Sequence, residues 1–165
     1  MKDSSFIRGN VPMTKEEVRT VSIAKLQLAK ADKFLDIGTG TGSIAIEAAL
    51  LHPNLEVTTI DSNQTAVAVL KQNLAKFQLT NIHSILGKAP IELEDKFDAI
   101  FVGGTGGNMA EILAWSFQLL KPDGRLVLNF ILLENALRAM EWLETNHHSF
   151  QTIQMHVSQF TKLGQ

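Results

Sequence analysis

Three glycines spaced two apart, in Lys33-Phe34-Leu35-Asp36-Ile37-Gly38-Thr39-Gly40-Thr41-Gly42-Ser43, constrain this chain more than any other feature. The apolar residues before Gly38 suit a short buried strand, and the apolar run after Ser43 suits a helix. Glycines between them allow a tight turn and close approach of another group to the backbone. A helix that begins near Thr41 or Ser43 directs its unpaired amides at that turn, where an anion is favoured. A second strand, 56–60, leads into Asp61, about twenty residues beyond the turn. A carboxylate there can accept hydrogen bonds from both hydroxyls of a ribose; a solvated strand end is the alternative.

The rest of the chain alternates in the same way. Strands are predicted over 34–37, 56–60, 82–86, 97–102 and 125–130, and a sixth over Phe150 to Val157. Helices are predicted over 43–51, 64–77, 109–120 and about 134–145. An earlier helix starts after Pro12-Met13, with Thr14 as cap and Glu17 at capping-box spacing. Single helices between strands predict a doubly wound, mostly parallel α/β sheet with its loops gathered at one edge. Residues 1–165 are expected to form one domain with a flexible 1–9 segment. The chain is expected to stop short of a final antiparallel strand, leaving a sheet edge open.

Composition narrows the function. Net charge is −2 and charged residues make up 19%, which disfavours a broad nucleic-acid face. Cysteine is absent, so disulfides and sulfur-ligated metals are excluded. No apolar leader or membrane-length run is present, so the expectation is a cytoplasmic protein without nucleic-acid or membrane partners. His147, His148 and His156 lack a supporting carboxylate cluster, and no metal site is expected. Trp115, Trp142, Met109, Met140 and Phe117 are expected to be packing residues.

The glycine turn alone is shared by several cofactor classes. Its spacing departs from the dinucleotide pattern, which moves weight from nicotinamide or flavin towards S-adenosylmethionine. In that reading Asp36 orients the amino-acid end of the cofactor, and Gly87-Lys88-Ala89-Pro90 lies against adenine or forms an ordinary turn. Gly103-Gly104-Thr105-Gly106-Gly107, after the fourth strand, either leaves room for a bulky flat substrate or is a flexible loop without contacts. An Asn-Pro-Pro signature with an aromatic is absent there, which argues against methylation of a base or amide nitrogen.

Together, Pro12-Met13-Thr14-Lys15-Glu16-Glu17-Val18-Arg19, the Asp36–Ser43 turn, Gly87-Lys88-Ala89-Pro90 and Phe101-Val102-Gly103-Gly104-Thr105-Gly106-Gly107 resemble the decarboxylating cobalt-precorrin-6B/precorrin C15-methyltransferase family of cobalamin biosynthesis. The resemblance runs from about Gly9 to Lys162. It implies a class I, Rossmann-like methyltransferase and a homotetramer. The implied reaction methylates C15 of a tetrapyrrole and removes carbon dioxide from the C12 acetate. A C5-methyltransferase is the implied pathway partner. By that likeness Thr14, Asp36, Gly38, Thr39, Gly40, Thr41, Gly42, Asp61, Gly87 and Ala89 would meet S-adenosylmethionine. Arg19 and residues Gly103 to Gly107 would meet the substrate, with Arg19, Asn129 and Glu134 as catalytic candidates. Arg8, Lys15 and Arg138 are further candidates for substrate carboxylates. The competing readings are a methyltransferase of this fold acting on RNA or protein, and an inactive cofactor-binding protein.

Overall fold

The computed structural model describes residues 1–161. Five strands, β1 Lys33–Ile37, β2 Glu56–Asp61, β3 Ile82–Leu86, β4 Phe97–Val102 and β5 Leu120–Leu128, form one sheet in the order β3-β2-β1-β4-β5. Every neighbouring pair is parallel. The helices are α1 Glu16–Leu26, α2 Ser43–Leu51, α3 Gln64–Phe77, α4 Met109–Leu119 and α5 Leu133–Thr145. Chain order runs outward from β1 to β3 and then returns to β4 on the other side of β1. The carboxyl ends of β1 and β4 therefore flank the point where the winding reverses, the usual place for a crevice in such sheets.

The alternation of β1 divides the core. Phe34 faces a cluster containing Ile23 and Leu26 of α1, Ile44 and Ile46 of α2 and Leu70 of α3. Leu35 and Ile37 face the opposite cluster, with Ile60, Ile100, Val102 and Ile112 of α4. Because both faces are covered, the central strands β1 and β4 are buried along almost their whole length, whereas β3 and β5 at the edges carry more polar, exposed residues.

Three expectations change. Phe150 to Val157 forms no strand: the segment is extended and exposed, with Phe150, Ile153, Met155 and Val157 between 38 and 50% accessible. Its alternation has no ladder to satisfy, because no described strand beyond β5 receives it. It is held beside α1 by side chains, Lys25 to Gln151 and Gln159 to Glu17. Lys162, where the expected resemblance ends, lies outside the described residues, as do residues 163–165.

The 1–9 segment, expected to be flexible, is instead tied down. Phe6 is buried and packs on Phe77 with ring centroids 5.5 Å apart. The Ile7 amide donates to Asn73 Oδ1 at 2.7 Å, and Asn73 Nδ2 donates to the carbonyls of Ile7 and Thr41 at 2.8 and 3.0 Å. Asn73 is fully buried, so these bonds remove the cost of placing an amide in the core.

Thr14 does not cap α1. Lys15 occupies the cap position without a side-chain bond, and its carbonyl accepts the Arg19 amide. The Thr14 carbonyl instead accepts Arg19 Nη1 at 2.6 Å. A buried cation competing for that carbonyl explains why the capping-box pattern is not realised.

Candidate functional site

The loops leaving the carboxyl ends of β1, β2, β3 and β4 meet around a cavity of about 290 Å³. Backbone hydrogen bonds extend the sheet's ladder into them. The Gly38 amide donates to the Ile60 carbonyl at 2.8 Å, Gly87 to Asp61 at 3.0 Å and Gly103 to Ile37 at 2.9 Å. The lining includes Gly38, Asp61, Gly87, Ala89, Gly104, Thr105 and Gly106, all anticipated from the sequence. It also includes Ile37 and Lys88, which stand in the quoted motifs without a role of their own, and Ile60, Ser62 and Ile112, which the sequence does not single out for the site. Ser62 was findable as the residue after Asp61; Ile112 depends on where α4 docks and carries no local signal.

Two glycines of the turn are demanded by the protein itself. Gly38 has φ +71°, and a Cβ there would sit 2.8 Å from the Gly104 amide nitrogen, so the β1 and β4 loops touch backbone to backbone. Gly40 has φ +59°, and a Cβ there would lie 2.5 Å from the Pro12 carbonyl oxygen. The segment leading into α1 thus lies on the glycine turn, with the Thr41 amide directed at the same Pro12 carbonyl at 3.4 Å.

Asp61 is oriented by its surroundings. One carboxylate oxygen accepts the Gly40 amide at 2.8 Å and the other accepts the Asn63 amide at 2.9 Å. Each oxygen has a second lone pair, so the carboxylate can take further donors while its direction stays fixed. Asp36 is different. It is 1% exposed, and neither carboxylate oxygen has a hydrogen-bond partner among the described residues. Burial, with the Asp61 charge as a second cause, pushes its pKa up to about 8. Its carbonyl accepts the Thr39 hydroxyl at 2.9 Å, which uses Thr39 within the turn. The Thr41 hydroxyl is also buried without a partner among the described residues.

Thr14, Asp36, Thr39, Gly40, Thr41, Gly42 and Gly103 do not line the cavity wall; they lie in the turn, the segment over it or the loop roots behind it. The three catalytic candidates do not converge on the cavity either. Arg19 is 0% exposed. Its guanidinium donates to Glu47 at 2.6 Å, to Asp3 at 3.0 Å and to the carbonyls of Thr14 and Met1, and it lies 4.9 Å from the Phe6 ring centroid. Those contacts use the forked donor set that a substrate carboxylate would need, so Arg19 joins α1, α2 and the N-terminal segment. Asn129 Nδ2 donates to the Ser22 hydroxyl at 2.8 Å, fastening the end of β5 to α1. Glu134 stands exposed on α5 and pairs with Arg138 at 2.5 Å. These side chains were assigned by sequence position, and sequence position does not reveal which face of an element carries them.

Gly107 lines a second cavity of about 340 Å³, with Asn108, Met109, Ala110, Glu111, Arg138 and Trp142. Among the described residues no group of metal-binding side chains occurs, and no helix is long and apolar enough to cross a membrane.

Comparison with known proteins agrees with this geometry. Residues 5–165 match the family model described as a precorrin methyltransferase domain. The chain is 43% identical to the cobalt-precorrin-6B C(15)-methyltransferase (decarboxylating) of Salmonella typhimurium, over 99% of this chain and 86% of that protein. The crystal structure of precorrin-6y C5,15-methyltransferase from Geobacter metallireducens superposes with a TM-score of 0.83 at 34% identity, covering 88% of this chain and 79% of that one. A methyltransferase from Geobacter sulfurreducens, solved with S-adenosyl-L-homocysteine, gives a TM-score of 0.62 at 27% identity over 75% of this chain and 51% of that one. With the glycine turn, the directed Asp61 and the crevice between β1 and β4 already in place, these matches establish that the chain belongs to the precorrin methyltransferase family and is an enzyme of methyl transfer.

Proposed function

We propose that this protein binds S-adenosylmethionine in the cavity at the carboxyl edge of the sheet, methylates C15 of a cobalt-precorrin or precorrin, and removes the C12 acetate carboxyl as carbon dioxide. The observation that carries this reading is 43% identity, across 99% of the chain, to a decarboxylating C15-methyltransferase. The site's chemistry fits the donor. Asp61 has free lone pairs for ribose hydroxyls and is held in direction by two amides. Asp36 and the Thr41 hydroxyl are buried polar groups behind the glycine turn without partners, suited to orienting the amino-acid end. Gly87 and Ala89 offer a low backbone surface for the adenine.

S-adenosylmethionine supplies an electrophilic methyl group on a sulfonium sulfur. The chain's own contribution is alignment and exclusion of water. Ile37, Ile60 and Ile112 give the cavity an apolar wall beside the polar Asp61, Ser62 and Lys88. The Gly104–Gly106 loop opposite the turn carries little side-chain bulk, which leaves a flat ring room to approach. A strong base is not required for attack by an electron-rich tetrapyrrole carbon. Loss of carbon dioxide breaks the bond from the acetate methylene to its carboxyl; the electron pair passes into the conjugated ring and a proton from solvent restores it as the C12 methyl, so the bond must stand aligned with the ring, which the same loop would enforce.

The proposal treats residues 1–165 as one methyltransferase domain, acting in the cytoplasm as a homotetramer. Ile131, Leu132 and Leu133, at least 61% accessible, are apolar surface that assembly would cover. The C5,15 activity named for the Geobacter metallireducens relative supports a functional pairing with a C5-methyltransferase.

The test is anaerobic incubation with S-adenosylmethionine and cobalt-precorrin-6B, followed by mass spectrometry. A product that gains one methyl and loses carbon dioxide is expected. Methylation of RNA or protein with the tetrapyrrole untouched would overturn the reading.

A further inference from the structure

Two cations flank the glycine-rich loop after β4: Lys88, which has no role of its own so far, and Arg138, one of the sequence candidates for a substrate carboxylate. Lys88 lines the first cavity, whose only other charged lining residue is Asp61. Its side chain crosses toward the loop: a Cβ at Gly106 would lie 4.0 Å from Lys88 Cε. Lys88 makes no ion pair among the described residues. On the other side, Gly107 and Arg138 line the second cavity together, with Trp142 as an aromatic wall. Consecutive residues of one loop are thus flanked by a lysine on the cofactor side and an arginine on the far side.

We propose that Lys88 and Arg138 form a two-point carboxylate clamp that fixes the tetrapyrrole's rotation over the Gly103–Gly107 loop. This rests on the function proposed above. A precorrin carries acid side chains around its rim, so a ring lying on the loop has carboxylates directed to both sides. The arrangement also explains the lack of side-chain bulk at Gly104, Gly106 and Gly107: the loop supports the ring while charges beyond its edges choose the orientation. Arg138 already shares one nitrogen with Glu134 at 2.5 Å. A guanidinium has five N–H donors, so Nε and Nη1 remain for a substrate carboxylate. Exposed at 65%, Arg138 exchanges partners without a large desolvation cost. Glu134 then becomes a competitor for the arginine, which gives it a positioning role in place of a catalytic one.

The experiment uses uroporphyrin, a flat ring bearing eight carboxylates, as a probe and its uncharged octamethyl ester as control, with quenching of tryptophan fluorescence as the readout. Lys88→Met and Arg138→Leu should each weaken binding of the acid about tenfold and leave the ester unchanged. Lys88→Arg should restore most of the acid's affinity, and Glu134→Gln should tighten it by freeing Arg138. Turnover of cobalt-precorrin-6B is measured on the wild-type protein in parallel. Equal binding of acid and ester by wild type, or acid affinity within twofold of wild type in both charge-removing variants, overturns the clamp even if turnover occurs. Charge-dependent binding without turnover overturns the proposed function and leaves a carboxylate-selective ring site.

Discussion

The Asp61 carboxylate accepts the Gly40 amide at 2.8 Å, so the end of β2 fixes the turn that follows β1. One side chain therefore shapes the floor of the cavity and, in the proposed complex, receives the ribose. Replacing it disturbs both. Asp61→Ala is expected to lower affinity for S-adenosylhomocysteine by at least about tenfold, the order of two lost charge-assisted hydrogen bonds. Asp61→Asn, which retains an acceptor but not the charge, should fall between. Titration calorimetry measures both, and unchanged affinity in the Ala variant would remove Asp61 from the site.

Arg19 should behave as a structural cation. Its Glu47 partner is 8% exposed, and removing the guanidinium leaves that carboxylate buried with only the Met1 amino group beside it. Arg19→Leu is expected to destabilise the ligand-free protein by about 3–5 kcal/mol, the range for breaking a buried pair from one side. Urea unfolding without ligand reads this directly. An unaltered midpoint together with a raised substrate KM would return Arg19 to the substrate site.

Asp36 gives the stability a pH dependence of definite sign. Its folded pKa, near 8, lies above the ordinary 3.8, so between those values the folded chain holds a proton that the unfolded chain has released. Stability from this group is complete below about pH 4 and falls as pH rises through the folded pKa, by at most about 1.4 kcal/mol per pH unit. Asp36→Asn, always neutral, should flatten that component of the slope. Unfolding curves collected across the interval would show parallel slopes for variant and wild type if Asp36 were not the cause.

Helix α5 ends in a left-handed residue that is not glycine. His147 has φ 59°; its amide bonds to the Glu144 carbonyl, and the His148 amide bonds to Leu143, which is the Schellman pattern. His148 then stacks on Phe117 with centroids 3.7 Å apart. His147→Gly keeps both bonds and removes the Cβ penalty, so a gain of about 1 kcal/mol is expected, or a Tm rise of about 2–4 °C. A lowered Tm would show that the His147 side chain makes a stabilising contact that outweighs its backbone strain.

The elements most legible in the sequence were those with local causes. Helices α2 and α3 and strands β3 and β4 fall on their predicted ranges, because apolar spacing and terminating residues act within a few positions. The lining of the first cavity was legible for the same reason: Gly38, Asp61, Gly87 and Ala89 all sit where a strand ends. The sixth strand was overread because alternation over Phe150 to Val157 states a preference, whereas a strand needs a neighbour. For Arg19, Asn129 and Glu134 the ambiguity is different. A polar residue in a matching motif has the same letter whether it meets a ligand or, like Arg19, is consumed by Glu47, Asp3 and two carbonyls. Lys88 and Arg138 stand far apart in the chain, and only the docking of α5 against α4 brings the arginine to the glycine loop.

Asn73 has a consequence for the order in which the site is completed. It joins Ile7, 66 positions earlier, to the Thr41 carbonyl. During synthesis from the amino terminus, the segment that covers the glycine turn and the turn itself both emerge before the side chain that binds them together. Closing a loop is far faster than synthesising the residues that form it, so the delay is set by translation and not by the search. A nascent chain arrested before α3 would hold the glycine turn without its fastened cover, and protection of the 1–9 segment from protease along a series of arrested chains would mark the point at which Asn73 takes its place.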